Sequence, residues 1–334
     1  MTMRRTMGTT LRRATAAGAV AMAAVLSAGC VNTPAPPSDP PSAVAAWPTP
    51  AGVSTDVPVE APPATEACDS TASLTPGPLP TPGQMPPNTS MDSIYKRGWL
   101  KVGLDVGSNL ISFRDPISGS IEGFDVDIAK EIARGIFGDP ERVEFRILNS
   151  DDRIQALKDG SVDIVVKTMS ITCDRLEEIA FSTVYYEASQ RILTMRSSGI
   201  NGVADLSGKR VCAARGTTSI ARIQQRVPDA IIDTVSTWAD CLVMLQQNQV
   251  DAVSTDDAIL AGMAAQDPYI HVVGQSLGEE PYGIGINKND EDMVRFTNGI
   301  LEQIRSNGTW FEIYNRWLSI LGPKYYPPQP EYRD

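Results

Sequence analysis

The sequence predicts an α/β protein whose folded body is two similar lobes facing one cleft. Three observations predict it. From about residue 90, short apolar runs alternate with segments of helical period. One helix–strand unit occurs twice: Ile154-Gln-Ala-Leu-Lys-Asp-Gly-Ser-Val-Asp163 is matched by Leu242-Val-Met-Leu-Gln-Gln-Asn-Gln-Val-Asp251, each with a leucine five residues before the Val-Asp that opens an apolar strand. Both strands then run into polar residues, the first into Thr168 and Ser170, the second into Ser254-Thr-Asp-Asp257. In open α/β sheets ligands bind beyond the carboxyl ends of the strands, so these polar ends are the expected cleft walls.

Taken in order, the folded body opens near Ser90 with a short helix, Ser93 to Gly98, and a first strand, Leu100 to Leu104. Asp105 to Ser112 form the loop after it; a short strand to Arg114 and a turn over Asp115 to Gly119 follow. Gly123-Phe-Asp-Val-Asp127 opens a helix, with Asp125 as its cap and Val126, Ala129, Ile132, Ala133 and Ile136 at helical spacing. Val143 to Leu148 is a strand, and Ser150 is placed to cap a helix ending at Gly160. Phe181 to Tyr186 and Gln190 to Thr194 read as extended. Strand Arg210 to Ala214 leads through Arg215-Gly-Thr-Thr-Ser219 to a helix, Ile220 to Arg226; strand Ile231 to Val235 and helix Ala239 to Asn248 come next. The chain closes with strand Tyr282 to Ile286 and two helices, Met293 to Asn307 and Thr309 to Leu321, the second carrying Trp310 and Trp317 as core residues.

The 334 residues carry a net charge of −11 without a basic cluster, which argues against a nucleic-acid partner. The single histidine, His271, and cysteine spacings unlike any zinc pattern leave no expected metal site, and nothing calls for a cofactor. The N-terminus is a targeting segment. Arg4, Arg5, Arg12 and Arg13 precede an uncharged apolar run, Ala14 to Ala28, too short for a membrane span. It ends in Leu26-Ser27-Ala28-Gly29-Cys30, small residues before a cysteine as in a bacterial lipobox, with Ser27 where leucine is usual. Residues 1–29 are therefore the expected signal peptide and Cys30 the expected lipidation site; an ordinary secretory signal is the other reading. Their removal takes four arginines and no acid, leaving a charge near −15. Residues 31 to 90 hold 16 of the 25 prolines and read as an extended tether. Cys68 is out of place in such a segment and implies that the tether is stapled down. With Cys173, Cys212 and Cys241 it makes an even set in an exported chain, hence two disulfides, for which three pairings are open.

The stretch Lys167-Thr-Met-Ser-Ile-Thr-Cys-Asp-Arg175 follows the apolar run Val162 to Val166. An arginine there offers a planar fork that matches a carboxylate. It could equally pair with Asp174 or Glu178 at a surface.

Gly123-Phe-Asp-Val-Asp127, Gly160-Ser-Val-Asp163, Ser170-Ile-Thr-Cys-Asp-Arg175, Phe181-Ser-Thr-Val-Tyr-Tyr186, Leu206-Ser-Gly-Lys209, Gly216-Thr-Thr-Ser219, Val250-Asp-Ala-Val253 and Asn307-Gly-Thr-Trp310 together resemble, in order, the polar amino-acid-binding proteins of bacterial ABC importers. The lipobox and proline-rich tether resemble those of actinobacterial glutamate/glutamine-binding lipoproteins. The resemblance spans about Leu100 to Leu321 and implies a type II periplasmic-binding-protein-like fold with two crossover strands and the ligand between lobes. Lobe one would be 91–189 and 281–334, lobe two 190–280, and residues 30–90 the lipid-anchored tether.

The resemblance also implies roles. Arg175 would hold a ligand α-carboxylate with Thr217 and Thr218 at a helix N-terminus, a place that suits an anion in any fold. Ser170, the backbone of Thr168, and Asp256 would meet the α-ammonium; Asp256 also reads as a helix cap, with Asp257 beside it. Arg153 stands where acidic-amino-acid binders carry a side-chain-reading arginine, and otherwise reads as a solvated residue paired with Asp152. Lys167 is a second side-chain candidate unless it snorkels to solvent. Asp105 could contact the ammonium or an amide. The aromatic common in the first-strand loop is missing from Gly107 to Ile111, leaving Phe113 and Phe124 as candidates for an apolar clamp. Cys212 with Cys241 would make a local pair in lobe two, and Cys173 with Cys68 would tie the tether beside the binding wall. The expected function is an anchored receptor for L-glutamate, L-aspartate or an amide analogue, serving an ABC permease or a transmembrane signalling protein with an intracellular kinase. The competing expectation is a dehydratase-like enzyme on the same scaffold, with Asp105 or Asp256 as acid or base.

Overall fold

The structure, a computed structural model, describes residues 48–55, 57 and 68–333. Cys30, the signal segment 1–29 and much of the tether lie outside the described residues.

Two five-stranded sheets form the two lobes. In lobe one the order across the sheet is Val143–Ile147, Leu100–Leu104, Ile164–Val165, Gly285–Ile286, Ala180–Phe181, with the first three parallel and Gly285–Ile286 antiparallel to both neighbours. In lobe two the order is Ile231–Val235, Arg210–Ala214, Ala252–Asp256, Tyr186–Met195, Ile270–Tyr282, again with three parallel strands before the antiparallel ones. Each sheet thus has its second parallel strand at one edge, then its first, then its third, then a strand antiparallel to them.

The duplicated Val-Asp does the same work in both lobes. Asp163 and Asp251 each accept from the backbone N–H that opens the neighbouring strand, Lys101 at 2.7 Å and Arg210 at 2.8 Å. Their own N–H groups bond back to those residues' carbonyls, at 2.9 and 2.8 Å. The leucines five residues earlier, Leu157 and Leu245, are both fully buried.

The lobes are joined by Tyr186–Met195 and Ile270–Tyr282, which pair antiparallel along their length with a register shift between Val273 and Gly278. The resemblance implied two crossover strands, but the residue pattern put a strand only over Tyr282 to Ile286 and did not show the thirteen-residue range of the second. Its alternation is broken by that irregularity, so no period of two runs through it. Lobe one closes around an aromatic cluster of Phe124, Tyr185, Tyr186, Trp310 and Tyr314. Trp310 is buried as expected; Trp317 instead packs edge-on against Phe113 and donates to Asp127. Lobe two closes around the Cys212–Cys241 disulfide.

Three expectations change. Asp125 does not cap its helix: Gly123 holds the cap position of Phe124–Phe137, and Asp125 is buried in the first turn. Ser150 caps nothing, because the next helix starts at Arg153 behind Asp152. The tether does not extend to residue 90. Cys68 is bonded to Cys173, and Ala72–Leu74 pairs in parallel with the C-terminal strand Glu331–Arg333. Asn298 on helix Glu291–Ser306 donates to the Leu74 carbonyl at 2.7 Å, and Leu74 and Leu79 pack on the lobe-one core. Composition hid this because a few apolar residues among prolines are enough to dock onto a surface already built. Further upstream, Ser54 exchanges two backbone hydrogen bonds with Thr234 on the edge strand of lobe two, at 3.0 and 2.8 Å.

Candidate ligand-binding cleft

Between the lobes lies a small, partly open polar cavity. Lobe one contributes Ser150, Arg153, Thr168, Ser170 and Arg175; lobe two contributes Thr217, Thr218, Ser219, Thr255 and Asp256, with Trp238 and Ile259 as its apolar part. Ser150 and Arg153 follow strand Val143–Ile147, Thr168, Ser170 and Arg175 follow strand Ile164–Val165, and Asp256 ends strand Ala252–Asp256, so polar strand ends of both lobes line one cavity.

Arg175 sits on helix Cys173–Glu178, whose cap Thr172 accepts from the Arg175 N–H. Its guanidinium reaches the carbonyls of Ser170 at 2.7 Å and, across the cleft, Gly216 at 3.0 Å. Arg153 is buried rather than solvated and does not pair with Asp152. Its guanidinium donates to the carbonyls of Ser150 (2.8 Å), Lys167 (3.0 Å) and Gly216 (3.0 Å). Burial, with Arg175 beside it, presses the Arg153 pKa down to about 9. The group stays charged at neutral pH, and an anion placed against it would relieve that strain.

Asp256 lines the cavity with the two arginines. Tyr282 donates its hydroxyl to Asp256 Oδ2 at 2.6 Å, while Oδ1 is buried with no hydrogen-bond partner among the described residues. Burial and the neighbouring Glu280 raise the Asp256 pKa well above the usual carboxylate range. Asp257 turns away to accept from the backbone N–H groups of Ser189 and Ala258. Of the two acids, Asp256 is therefore the one in the cavity wall.

Thr217 and Thr218 begin helix Thr218–Arg226. Their hydroxyls are engaged, Thr217 with the Ala214 carbonyl and Thr218 with Glu280. What this corner offers the cavity is the first-turn backbone N–H groups, which have no partner inside the helix. Thr168 lies at φ +41°, and its N–H donates to Asp125 at 2.9 Å, which leaves its carbonyl and hydroxyl for the cavity.

Two expected residues are elsewhere. Lys167 and Asp105 do not line the cavity; they pair with each other at 2.9 Å. Asp105 also accepts from the hydroxyls of Ser108 and Ser112. Burial opposes its charge, but Lys167 and these bonds outweigh burial, and its pKa is lowered. Phe113 and Phe124 do not clamp the cavity either, since both are packed within lobe one. Trp238 and Ile259 were missed. Each sits early in a lobe-two helix and is itself buried, so nothing in its spacing separates it from an ordinary core residue.

The match to known proteins covers the whole cleft. Residues 100–320 match the profile of the Bacterial extracellular solute-binding proteins, family 3. The chain belongs to this family. Its fold is the type II periplasmic-binding-protein fold. Among relatives, it is 38% identical over 217 residues to the ABC transporter glutamine-binding protein GlnH of Bacillus subtilis (strain 168), covering 65% of this chain and 80% of that protein. It is 29% identical over 227 residues to the glutamate-binding protein GluB of Corynebacterium glutamicum, covering 64% and 77%. Among solved structures, an ancestral arginine-binding protein bound to arginine superposes with a TM-score of 0.62 at 32% identity, covering 66% of this chain and 99% of that one. The segment from Cys68 to Trp99 lies before the matched region, the Cys212–Cys241 disulfide lies within it, and Cys68–Cys173 ties the two together.

Proposed function

We propose that the protein is an exported receptor for an acidic amino acid, L-glutamate or L-aspartate, with the amides as weaker ligands. The observation that carries this reading is the buried Asp256 Oδ1, without a hydrogen-bond partner among the described residues, on an acid that lines one cavity with Arg153 and Arg175. An acceptor left bare in such a place suits an ammonium. Two guanidiniums suit two carboxylates, one α and one of the side chain. With a bound ammonium holding Asp256 ionised, two cations and one anion leave the cavity one positive charge in excess, which a ligand of net charge −1 balances. Arg175, with the first-turn N–H groups at Thr217 and Thr218, takes the α-carboxylate; Asp256, Ser170 and the Thr168 carbonyl take the ammonium; Arg153 reads the side chain. Lys167 and Asp105 pair with each other and touch no ligand. The glutamine- and glutamate-binding relatives support an amino-acid ligand.

The ligand meets both walls only when the lobes are together, so binding shifts the population toward the closed form. A membrane partner then reads that form, an ABC permease in uptake or a transmembrane signalling protein in sensing. Lipid on Cys30 holds the receptor at the outer face of the cell membrane, with the proline-rich stretch after it as spacer. Calorimetric titration of the exported chain with Glu, Asp, Gln, Asn, Arg and Lys tests the ligand. Glutamate or aspartate should bind tightest; heat from none of the six would end this reading. Mass spectrometry of the membrane-extracted protein should find a lipidated N-terminal Cys30, and Cys30→Ser should release the protein from the membrane.

A further inference from the structure

Lobe two meets lobe one through two glycines, and at both the backbone comes too close for any side chain. A Cβ on Gly216 would lie 2.6 Å from Asp151 Cα and 2.7 Å from Asp151 N. A Cβ on Gly262 would lie 2.0 Å from the Asn109 carbonyl oxygen. Both obstacles are lobe-one backbone, which cannot rotate away as a side chain tip could. At both places the glycine's own carbonyl is held from lobe one: Gly216 by Arg153 and Arg175 at 3.0 Å each, Gly262 by Asn109 Nδ2 at 3.1 Å. Beside the first contact, Arg215 Nε stands 3.6 Å from Asp151 Oδ2.

We infer that Gly216 and Gly262 form the closure latch, positioning residues that let lobe two seat against lobe one and so complete the cavity. The arginines that hold the Gly216 carbonyl are the same two that the proposed ligand engages, so the inference rests on that reading for its effect on affinity. Its effect on lobe closure stands apart from it. A side chain at either position keeps the lobes ajar. The ligand then contacts one wall at a time, and its apparent Kd rises in proportion to the lost closed fraction.

Gly208 supplies the control. Its φ of +66° is close to the +69° of Gly216, yet a Cβ there meets nothing within 4 Å. Gly208→Ala therefore carries the same backbone strain as Gly216→Ala without the collision. Gly262→Ala has the opposite local bias, because it lies inside helix Asp257–Ala264, where alanine is the better helix former. It keeps the test alive if Gly216→Ala melts at room temperature.

The experiment is small-angle X-ray scattering and calorimetry on the exported chain and these three variants, with and without glutamate. The wild type and Gly208→Ala should compact on glutamate and share one Kd. Gly216→Ala and Gly262→Ala should stay extended in its presence and bind at least about tenfold more weakly. Compaction and wild-type Kd in the last two would overturn the latch. If the wild type binds neither glutamate nor aspartate, the ligand reading fails, and the latch is read from the ligand-free scattering. There the wild type should be more compact than Gly216→Ala and Gly262→Ala, and equal dimensions overturn it.

Discussion

Arg153 and Arg175 converge on a single acceptor: the Nη2 atoms of both donate to the Gly216 carbonyl at 3.0 Å. They come from different helices of lobe one, so two like charges are held together by a dipole of lobe two. Asp256 lines the same cavity, but burial and Glu280 raise its pKa, so it becomes their full counter-charge only when an ammonium lowers that pKa again. Arg175→Ala should lower glutamate affinity at least about 100-fold, about 3 kcal/mol, the scale of a charge-assisted hydrogen-bond pair. Arg153→Ala should weaken every ligand somewhat, because the Ser150, Lys167 and Gly216 carbonyls lose a donor. It should weaken glutamate and aspartate about tenfold more than glutamine and asparagine. Calorimetry on the four ligands decides this; equal losses would remove Arg153 from side-chain reading.

Asp256 makes binding depend on pH. Burial and Glu280 raise its pKa in the free protein, and an ammonium against Oδ1 would lower it again. A group whose pKa falls on binding releases a proton where the free form is protonated and the bound form is not. Affinity should therefore rise with pH through that window, and calorimetry in buffers of different ionisation enthalpy should show proton release. Asp256→Asn should bind about 10- to 100-fold more weakly and release no proton through this position. Proton uptake by the wild type would contradict the assignment.

Much of this architecture is legible in the sequence because it is repeated. Leu157 and Leu245 bury in equivalent places, and Asp163 and Asp251 bond equivalent strands, so a local match of ten residues reports a global duplication. Arg175, Thr217 and Asp256 are legible because each follows the end of a strand or opens a helix. The orientation of a side chain is a different matter. Lys167 and Thr168 are adjacent, yet with the left-handed turn at Thr168 one pairs with Asp105 away from the cavity and the other lines its wall. Nothing in residue type announces that turn, since threonine rarely takes positive φ. The docking of Ala72–Leu74 was hidden for a further reason. Its partner, Glu331–Arg333, is about 260 residues away and is itself a short, exposed strand without a pattern.

Asp125 predicts how stability varies with pH. It accepts from the Thr168 N–H and the Tyr185 hydroxyl, yet burial dominates and raises its pKa to about 7. The unfolded value is near 3.9. A raised folded pKa means that the fold binds the proton more tightly than the unfolded chain. The resulting stability is fully present below about pH 4 and is lost as pH rises through about 7, on the order of a few kcal/mol in all. Asp125→Asn has no such proton. The stability of the wild type relative to Asp125→Asn, from urea unfolding, should decline between pH 4 and pH 7 and level off above. A difference that is flat across that range would show that Asp125 ionises normally.

The two disulfides should separate stability from binding. Cys212–Cys241 spans 29 residues and Cys68–Cys173 spans 105. In the chain-entropy account these closures contribute about 3.5 and about 5 kcal/mol. Cys212 and Cys241 are buried in the core of lobe two, and neither lines the cavity. The Cys212→Ser/Cys241→Ser protein should therefore melt earlier and bind its ligand with nearly unchanged Kd. Cys173 opens the helix that carries Arg175, and its partner Cys68 leads into the strand paired with Glu331–Arg333. Loss of that bridge frees the first turn of the helix, held otherwise by the Thr172 cap. Cys68→Ser/Cys173→Ser should melt earlier and also bind several-fold more weakly. Thermal unfolding paired with calorimetry on both double variants checks this. If the two pairs of substitutions changed affinity alike, the bridge at Cys173 would have no bearing on where Arg175 stands.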